Sequence, residues 1–149
     1  MVAMISVICV GRLKEPHYAA AAAEYLKRLG RYVKVDVTEF RECTDKSPEV
    51  QKRREADSII GKLDSSSYVI VLDASGRQYH SSEFARLLSK PDVTFIIGGP
   101  EGLHQSVLDE ADLALSLSEM TFPHQLARVI LLEQIYRGET ILRGEKYHR

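Results

Sequence analysis

A short run of β-forming residues that stops at a glycine-rich turn limits the folds open to this chain. Residues 93–97 read Val-Thr-Phe-Ile-Ile, and residues 98–102 then read Gly-Gly-Pro-Glu-Gly. This pattern predicts a buried strand that ends in a turn which only small residues can make. A second apolar segment, residues 113–117, also runs into a polar loop and then into a helical pattern. Because open α/β sheets bind ligands beyond the carboxyl ends of their strands, the two strand ends suggest one shared ligand crevice.

Strand and helix patterns alternate along the chain, which predicts an α/β fold with a mostly parallel sheet flanked by helices. We expect strands at residues 4–10, 33–40, 68–72, 93–97 and 113–117, and helices at 15–29, 48–63, 82–89, 105–110 and 123–137. Residues 73–77 have the composition of a turn. The apolar run at 4–10 has no basic residue before it, which favours a first strand over a secretory signal. A chain of 149 residues without repeats or linkers predicts a single domain over residues 1–149.

Composition restricts the functions open to the chain. No stretch of 18 residues is continuously apolar, so we expect no membrane span. Cys9 and Cys43 lie far apart in the sequence, so we expect no disulfide framework, which fits a protein of the reducing cytoplasm. The five histidines form no pair with the spacing of metal ligands, so we expect no metal. The formal net charge is -1, which argues against bulk electrostatic binding to nucleic acid.

The pattern at residues 123–137 predicts a helix that is apolar around much of its circumference. Burial against a second subunit and deep burial within the same chain both explain this pattern.

His124, at the start of the helix, suits capping better than catalysis. Arg128 and Arg137 are nine residues apart and face largely opposite sides, so we expect them not to share one phosphate.

Several motifs in a fixed order give the chain a resemblance to a known family. They are Val7-Ile-Cys-Val-Gly-Arg-Leu-Lys14, Glu24-Tyr-Leu-Lys-Arg-Leu29, Gly98-Gly-Pro-Glu-Gly-Leu103, Met120-Thr-Phe-Pro-His-Gln-Leu-Ala-Arg128 and the terminal Tyr147-His148-Arg149. Over its whole length the chain resembles the RlmH family of SPOUT-class methyltransferases. The resemblance implies transfer of a methyl group from S-adenosylmethionine to N3 of a pseudouridine in large-subunit (23S) ribosomal RNA. It also implies a trefoil knot in the C-terminal half, and a homodimer with cofactor sites near its interface.

The same resemblance assigns the cofactor-binding residues. They are Leu72, Gly98, Leu117, Ser118, Glu119, Met120, Thr121 and Phe122. Leu72 could pack on the adenine face, Gly98 permits close approach of a ligand to the backbone, and the loop at 117–122 offers N–H and C=O groups beside apolar walls. A core leucine, a turn glycine and a plain strand-to-helix connection are the ordinary structural alternatives.

The resemblance assigns the catalytic role to the last three residues, Tyr147, His148 and Arg149. Methyl transfer from a sulfonium needs in-line positioning and a deprotonated nucleophile, and it needs no metal. An imidazole can exchange a proton near neutral pH, a tyrosine ring can stack on a base, and an arginine can hold phosphate. A loose chain terminus is the structural alternative, and the choice of general base stays open.

Two further features bear on the assignment. Glu101 suits a sulfonium cation better than a phosphate, although capping of the next helix also explains it. The chain departs from the family at Gly138-Glu139, where an alanine and an aromatic residue are usual, and we expect Gly138 to loosen the end of the last helix.

Three alternatives to this function remain open. The same fold could act on another ribosomal or transfer RNA nucleotide. Alternatively, the chain could be a ribosome-binding module without turnover, which the change at Gly138-Glu139 would favour. A general phosphate-binding α/β protein is disfavoured by Glu101. The low net charge favours recognition of the assembled ribosome over naked RNA.

Overall fold

A five-stranded parallel sheet forms the centre of the fold in the computed structural model, which describes residues 4–149. The strand order is β2-β1-β4-β3-β5, and every neighbouring pair is parallel. The strands are β1 (Met4–Val10), β2 (Lys34–Phe40), β3 (Tyr68–Arg77), β4 (Asp92–Ile97) and β5 (Leu113–Leu115). The interior strands β1 and β4 are almost wholly buried, because helices cover both faces of the sheet.

Within the described part of the chain, five helices cover the sheet: α1 (Pro16–Leu29), α2 (Pro48–Lys62), α3 (Ser81–Leu87), α4 (Gln105–Glu110) and α5 (His124–Leu142). On one face α5 lies between α1 and α3, and on the other face α2 packs beside α4. Phe95 of β4 belongs to the core under α5, whereas Ile96 belongs to the core under α2. The predicted class, a parallel α/β sheet flanked by helices, is therefore confirmed. None of the helices within residues 4–149 is both long and apolar enough to cross a bilayer.

The turn expected at residues 73–77 was wrong, because β3 continues through Arg77. The backbone N–H of Ser116 donates to the carbonyl of Arg77 over 3.0 Å, and the pairing with β5 shifts register between Leu72 and Arg77. A Cβ on Gly76 would lie 2.6 Å from the carbonyl carbon of Ala114, so only glycine permits this approach. Bulged strands and turns draw on the same residue types, which is why the sequence was misleading.

The helix expected to end at residue 137 runs five residues further, to Leu142, and the loosening expected at Gly138 was wrong. A Cβ on Gly138 would lie 2.5 Å from Leu88 Cδ1 and 3.3 Å from Ala85 Cα, so the glycine lets α5 pack closely against α3. Glu139 is buried and forms an ion pair with Arg143. Contact with helices on both sides explains much of the apolar circumference of α5 within one chain.

Candidate active site

Three neighbouring strands end beside one another at the carboxyl edge of the sheet. β3 lies between β4 and β5, with Val71 opposite Ile96 and Leu72 opposite Leu115. The register therefore places Leu72 level with the residues that lead into Gly98 and into the loop after β5. We call residues 117–122 the cofactor loop. The expected cofactor residues thus converge at the position where parallel α/β sheets bind ligands.

Gly98 is buried inside a tight turn. A Cβ at this position would lie 2.8 Å from the Leu103 side chain and 3.1 Å from the Gly102 backbone. The turn closes through a hydrogen bond from Gly102 N–H to the Gly99 carbonyl, and Gly102 has a φ of +84°. Gly98 therefore has a packing role in the turn whether or not a ligand approaches it.

The cofactor loop is ordered by hydrogen bonds of two serines, Ser116 just before the loop and Ser118 within it. The Ser116 hydroxyl donates to the Ser118 carbonyl over 3.0 Å, and the Met120 N–H donates to the Ser118 hydroxyl over 3.0 Å. β5 stops at Leu115, so Leu117 belongs to the loop and not to the strand as expected. The Met120 side chain is 76% exposed, which leaves a large apolar group on the surface at the tip of the loop.

The first turn of α5 anchors the exit of the cofactor loop to the ends of β1 and β2. Gln125 Oε1 accepts hydrogen bonds from the N–H groups of Lys14 and Glu15 over 2.9 and 3.0 Å. Arg128 forms an ion pair with Glu39 and donates to the Gly11 carbonyl over 2.7 Å. Sequence reasoning missed both anchors. Their only signal was a glutamine and an arginine three residues apart at the start of a helix.

His124 is the first residue of α5 and follows Pro123, and this helix start has no side-chain cap hydrogen bond. The expected capping role of His124 is therefore not observed. Burial lowers the pKa of the imidazole, an effect that Glu42 opposes and Arg128 reinforces. His124 lines a cavity of about 130 Å³ together with Ile97, the residue before Gly98.

Glu101 is an exposed residue of the glycine-rich turn, four residues before the start of α4. The first turn of α4 is capped by His104, whose Nδ1 accepts from the Ser106 N–H over 3.1 Å. The capping role considered for Glu101 was therefore wrong.

A buried carboxylate under the glycine-rich turn also escaped sequence reasoning. Glu55 of α2 is 7% exposed, and its Oε2 accepts from the Cys43 N–H over 3.0 Å. Its other oxygen would lie 3.2 Å from a Cβ on Gly99. Burial raises the pKa of Glu55, and the negative charges of Glu42 and Glu101 act in the same direction. Nothing in the helical pattern of α2 distinguishes this glutamate from its exposed neighbours.

The C-terminal tail turns back at the end of α5. The Gly144 N–H donates to the Ile141 carbonyl and the Glu145 N–H donates to the Thr140 carbonyl, at 3.1 and 2.9 Å. Gly144 has a φ of +68°, so this is a Schellman motif with glycine in the left-handed position. The motif directs the last residues back along the helix.

The tail packs against α5. The Tyr147 ring meets Tyr136 edge-on at 4.7 Å between centroids, and Arg137 stacks 4.8 Å from the centre of the Tyr147 ring. His148 Nδ1 lies 3.1 Å from Arg137 Nη1, and Arg149 is exposed. Burial, reinforced by Glu133, raises the pKa of Tyr147.

The structure does not bring the catalytic residues expected from the sequence to the cofactor loop within one chain. Arg137, which contacts Tyr147 and His148, lies 13 residues beyond His124, which corresponds to about 20 Å along α5. Arg137 and Arg128 also have different partners, as their spacing predicts.

Comparison with known proteins defines the class. A family model described as a predicted SPOUT methyltransferase matches residues 3–148. The chain therefore belongs to the SPOUT methyltransferase family. A probable methylase family protein from Haemophilus influenzae Rd KW20 shares the fold, with a TM-score of 0.59 and 14% identity over 97% of this chain and 70% of that one.

Closer relatives identify the branch of the family. Proteins named Ribosomal RNA large subunit methyltransferase H are 44% identical to the chain in Clostridium beijerinckii, 42% in Caldicellulosiruptor saccharolyticus and 43% in Desulforamulus reducens. The alignments cover 97%, 98% and 97% of this chain and 99%, 100% and 98% of those proteins, respectively. The chain belongs with these proteins, the RlmH family, as its motifs predicted.

Proposed function

We propose that this protein methylates N3 of a pseudouridine in large-subunit (23S) ribosomal RNA, with S-adenosylmethionine as the methyl donor. The observation that carries the proposal is that Leu72 lies level with the carboxyl ends of β4 and β5, which lead into Gly98 and the cofactor loop. The similarity to ribosomal RNA large subunit methyltransferase H proteins over nearly the whole chain supports the substrate. The reaction takes place in the cytoplasm, on assembled ribosomes.

The residues at the strand ends fit this methyl donor. Bound S-adenosylmethionine would supply an electrophilic methyl group. Leu72 is half-buried, and Leu117 and Met120 offer further apolar surface to an adenine ring. Polar backbone groups of residues 118–122 lie in the same loop and can hydrogen-bond the edge of that ring. In this proposal the chain around Gly98 and the cofactor loop forms a trefoil knot.

The C-terminal tail would provide the groups that act on the nucleotide. The imide N–H of the base must lose its proton for N3 to attack a methyl group. Because burial raises the pKa of Tyr147, its phenol stays protonated near neutral pH and is suited to stacking or hydrogen-bond donation. His148 is then the tail residue suited to accept the proton. Arg149 is exposed and can contact a phosphate or the developing oxyanion.

A homodimer would unite these two sets of residues. Within one chain the tail lies about 20 Å from the start of α5, and this separation supports a site in which the tail of one chain meets the cofactor loop of another. Leu126, Val129 and Ile130 remain partly exposed near the start of α5, where they can contact a second copy.

No observation favours a non-catalytic ribosome-binding module. The sequence feature that suggested it, Gly138-Glu139, is an interior part of α5 that packs against α3.

The direct test is incubation of the protein and labelled S-adenosylmethionine with ribosomes from cells that lack the protein, followed by mapping of the label. We expect label on N3 of one pseudouridine, with much less on protein-free rRNA. Label on another nucleotide would contradict the substrate, and equal labelling of both RNA forms would contradict the preference for assembled ribosomes. Absence of label on any RNA would contradict the proposed enzyme activity.

A further inference from the structure

A charged cleft lies at the carboxyl ends of β1 and β2, next to the proposed cofactor site. It encloses about 560 Å³ and is lined by residues from two segments, 11–14 after β1 and 39–44 at the end of β2 and beyond it. It shares Gly11, Arg12, Lys14 and Glu42 with the smaller cavity that Ile97 and His124 also line. The cleft therefore continues to the residues that flank Gly98 and the cofactor loop.

Positive charge exceeds negative charge in this cleft, although the whole chain has a net charge of -1. Glu39 is already paired with Arg128, which leaves Glu42 as the other carboxylate in the lining. Across residues 4–149, Arg12, Lys14 and Arg41 form no ion pair, and all three are exposed. We call these three residues the cationic triad.

The backbone under the triad is held in place from several directions. The N–H of Lys14 donates to Gln125, and the carbonyl of Gly11 accepts from Arg128. The N–H of Gly11 donates to the Phe40 carbonyl over 2.7 Å, which ties the two segments of the cleft together. Cations on a fixed backbone lose less conformational freedom when they bind an anion than cations on a free loop.

We propose that the cationic triad binds a backbone phosphate of the RNA substrate beside the target nucleotide. This inference rests on the proposed function. Phosphate contacts position a nucleic acid in register without reading its sequence, and arginine and lysine are the usual donors. The methyl donor is a poorer occupant, because its proposed residues lie on β3 and after β4 and β5, whereas the triad follows β1 and β2.

The test compares charge removal at the triad with charge removal at the opposite edge of the sheet. Lys14→Gln and Arg41→Gln are combined in one variant, and Lys34→Gln and Lys62→Gln are combined in a matched control. Lys34 is exposed at the start of β2 and Lys62 is exposed at the end of α2, so both lie at the amino edge. Affinity for large ribosomal subunits is measured against salt concentration, and affinity for S-adenosylmethionine is measured by calorimetry.

We expect the triad variant to bind subunits about tenfold more weakly. The slope of the logarithm of affinity against the logarithm of salt concentration should also be shallower by about one for each phosphate that the variant no longer binds. The control should bind like the wild type, and both variants should retain wild-type affinity for S-adenosylmethionine. Equal weakening in the control would overturn the proposal, as would wild-type subunit binding by the triad variant. If the triad variant bound S-adenosylmethionine more weakly but bound subunits like the wild type, the triad would instead be assigned to the carboxylate of the methyl donor. A wild type that binds subunits in this charge-dependent way without methylating them would contradict only the proposed function.

Discussion

Arg128 connects three elements through one side chain. The Arg128 side chain is 7% exposed, and its guanidinium pairs with Glu39 on β2 and donates to the carbonyl of Gly11, which follows β1. Glu39 is 42% exposed, so its charge keeps part of its hydration. The arginine would leave an unfilled cavity and an unpaired carbonyl if it were truncated.

We predict that Arg128→Ala lowers the free energy of unfolding by about 2–3 kcal/mol, less than for a pair in which both charges are fully buried. Glu39→Gln retains an acceptor and should cost about 1 kcal/mol or less. Urea denaturation of both variants checks the prediction. An Arg128→Ala protein as stable as the wild type would show that the anchor contributes nothing.

His124 should make stability depend on pH. Burial holds its folded-state pKa below the ordinary value of 6.5, so the unfolded chain takes up a proton at a higher pH than the folded protein does. Stability contributed by the neutral imidazole is therefore present above pH 6.5 and is lost as the pH falls from there toward the lowered pKa.

We predict that the wild type loses more stability than His124→Gln when the pH falls from about 7 to about 5.5. Glu55, whose pKa is raised, acts in the opposite direction at lower pH but is common to both proteins. Urea midpoints at several pH values test this, and parallel pH profiles for the two proteins would be inconsistent with a buried neutral His124.

At the scale of the elements, the contact between α3 and α5 depends on the missing side chain at Gly138. Leu88 Cδ1 and Ala85 occupy the space where a Cβ would lie. Gly61, by contrast, is exposed in α2, and a Cβ added there would meet nothing within 4 Å. Alanine substitutions at these two glycines therefore distinguish the effect of helix propensity on stability from the effect of packing.

We predict that Gly138→Ala destabilises the protein by about 1–3 kcal/mol, because the clash outweighs the better helix propensity of alanine. Gly61→Ala should stabilise it by about 0.5–1 kcal/mol through propensity alone. Thermal or urea unfolding measures both. If Gly138→Ala also stabilised the protein, the close packing of α3 on α5 would be refuted.

Periodicity and caps were enough to place the five strands and five helices of residues 4–149, although β3 and α5 each run five residues further than expected. Ser47 caps α2 and accepts from the Val50 N–H, as a serine before Pro48 predicts. The extension of β3 past Leu72 was not predictable, because it depends on a close approach of Gly76 to Ala114 on another strand. The length of α5 was missed because Gly138 weakens a helix locally and stabilises one only where a neighbouring helix packs against it.

The candidate site divides in the same way. The rule that ligands bind beyond the carboxyl ends of parallel strands was enough to bring Gly98 and the cofactor loop together, and the family resemblance added Leu72. Contacts distant in sequence were not predictable, such as Gln125 with Lys14 or Glu55 with the turn at Gly99. The position of the tail depends on the Schellman motif at Gly144 and on the contact between Tyr136 and Tyr147. Neither a glycine nor a tyrosine in the sequence shows which residue it will contact.

At the scale of the whole molecule, the two proposed halves of the active site lie apart. The cofactor loop precedes α5 and the tail lies beside Arg137, well along the same helix. The proposed active site then requires two copies of the chain. We predict a mass near twice the 16.8 kDa of one chain by light scattering at micromolar concentration, and a monomer mass would contradict the homodimer.

The most direct test of the composite active site is an assay of methyl transfer to ribosomes by a mixture of two variants, each of which we expect to be inactive alone. One variant carries Gly98→Val, which should distort the turn beside the cofactor loop because even a Cβ there meets Leu103. The other carries His148→Ala, which removes an exposed tail side chain. If the tail of one chain completes the site of another, equal mixing with subunit exchange should restore about a quarter of wild-type methylation on the pseudouridine, because half of the dimers are mixed and each has one intact site. A mixture that forms mixed dimers and stays as inactive as its components would contradict the composite site.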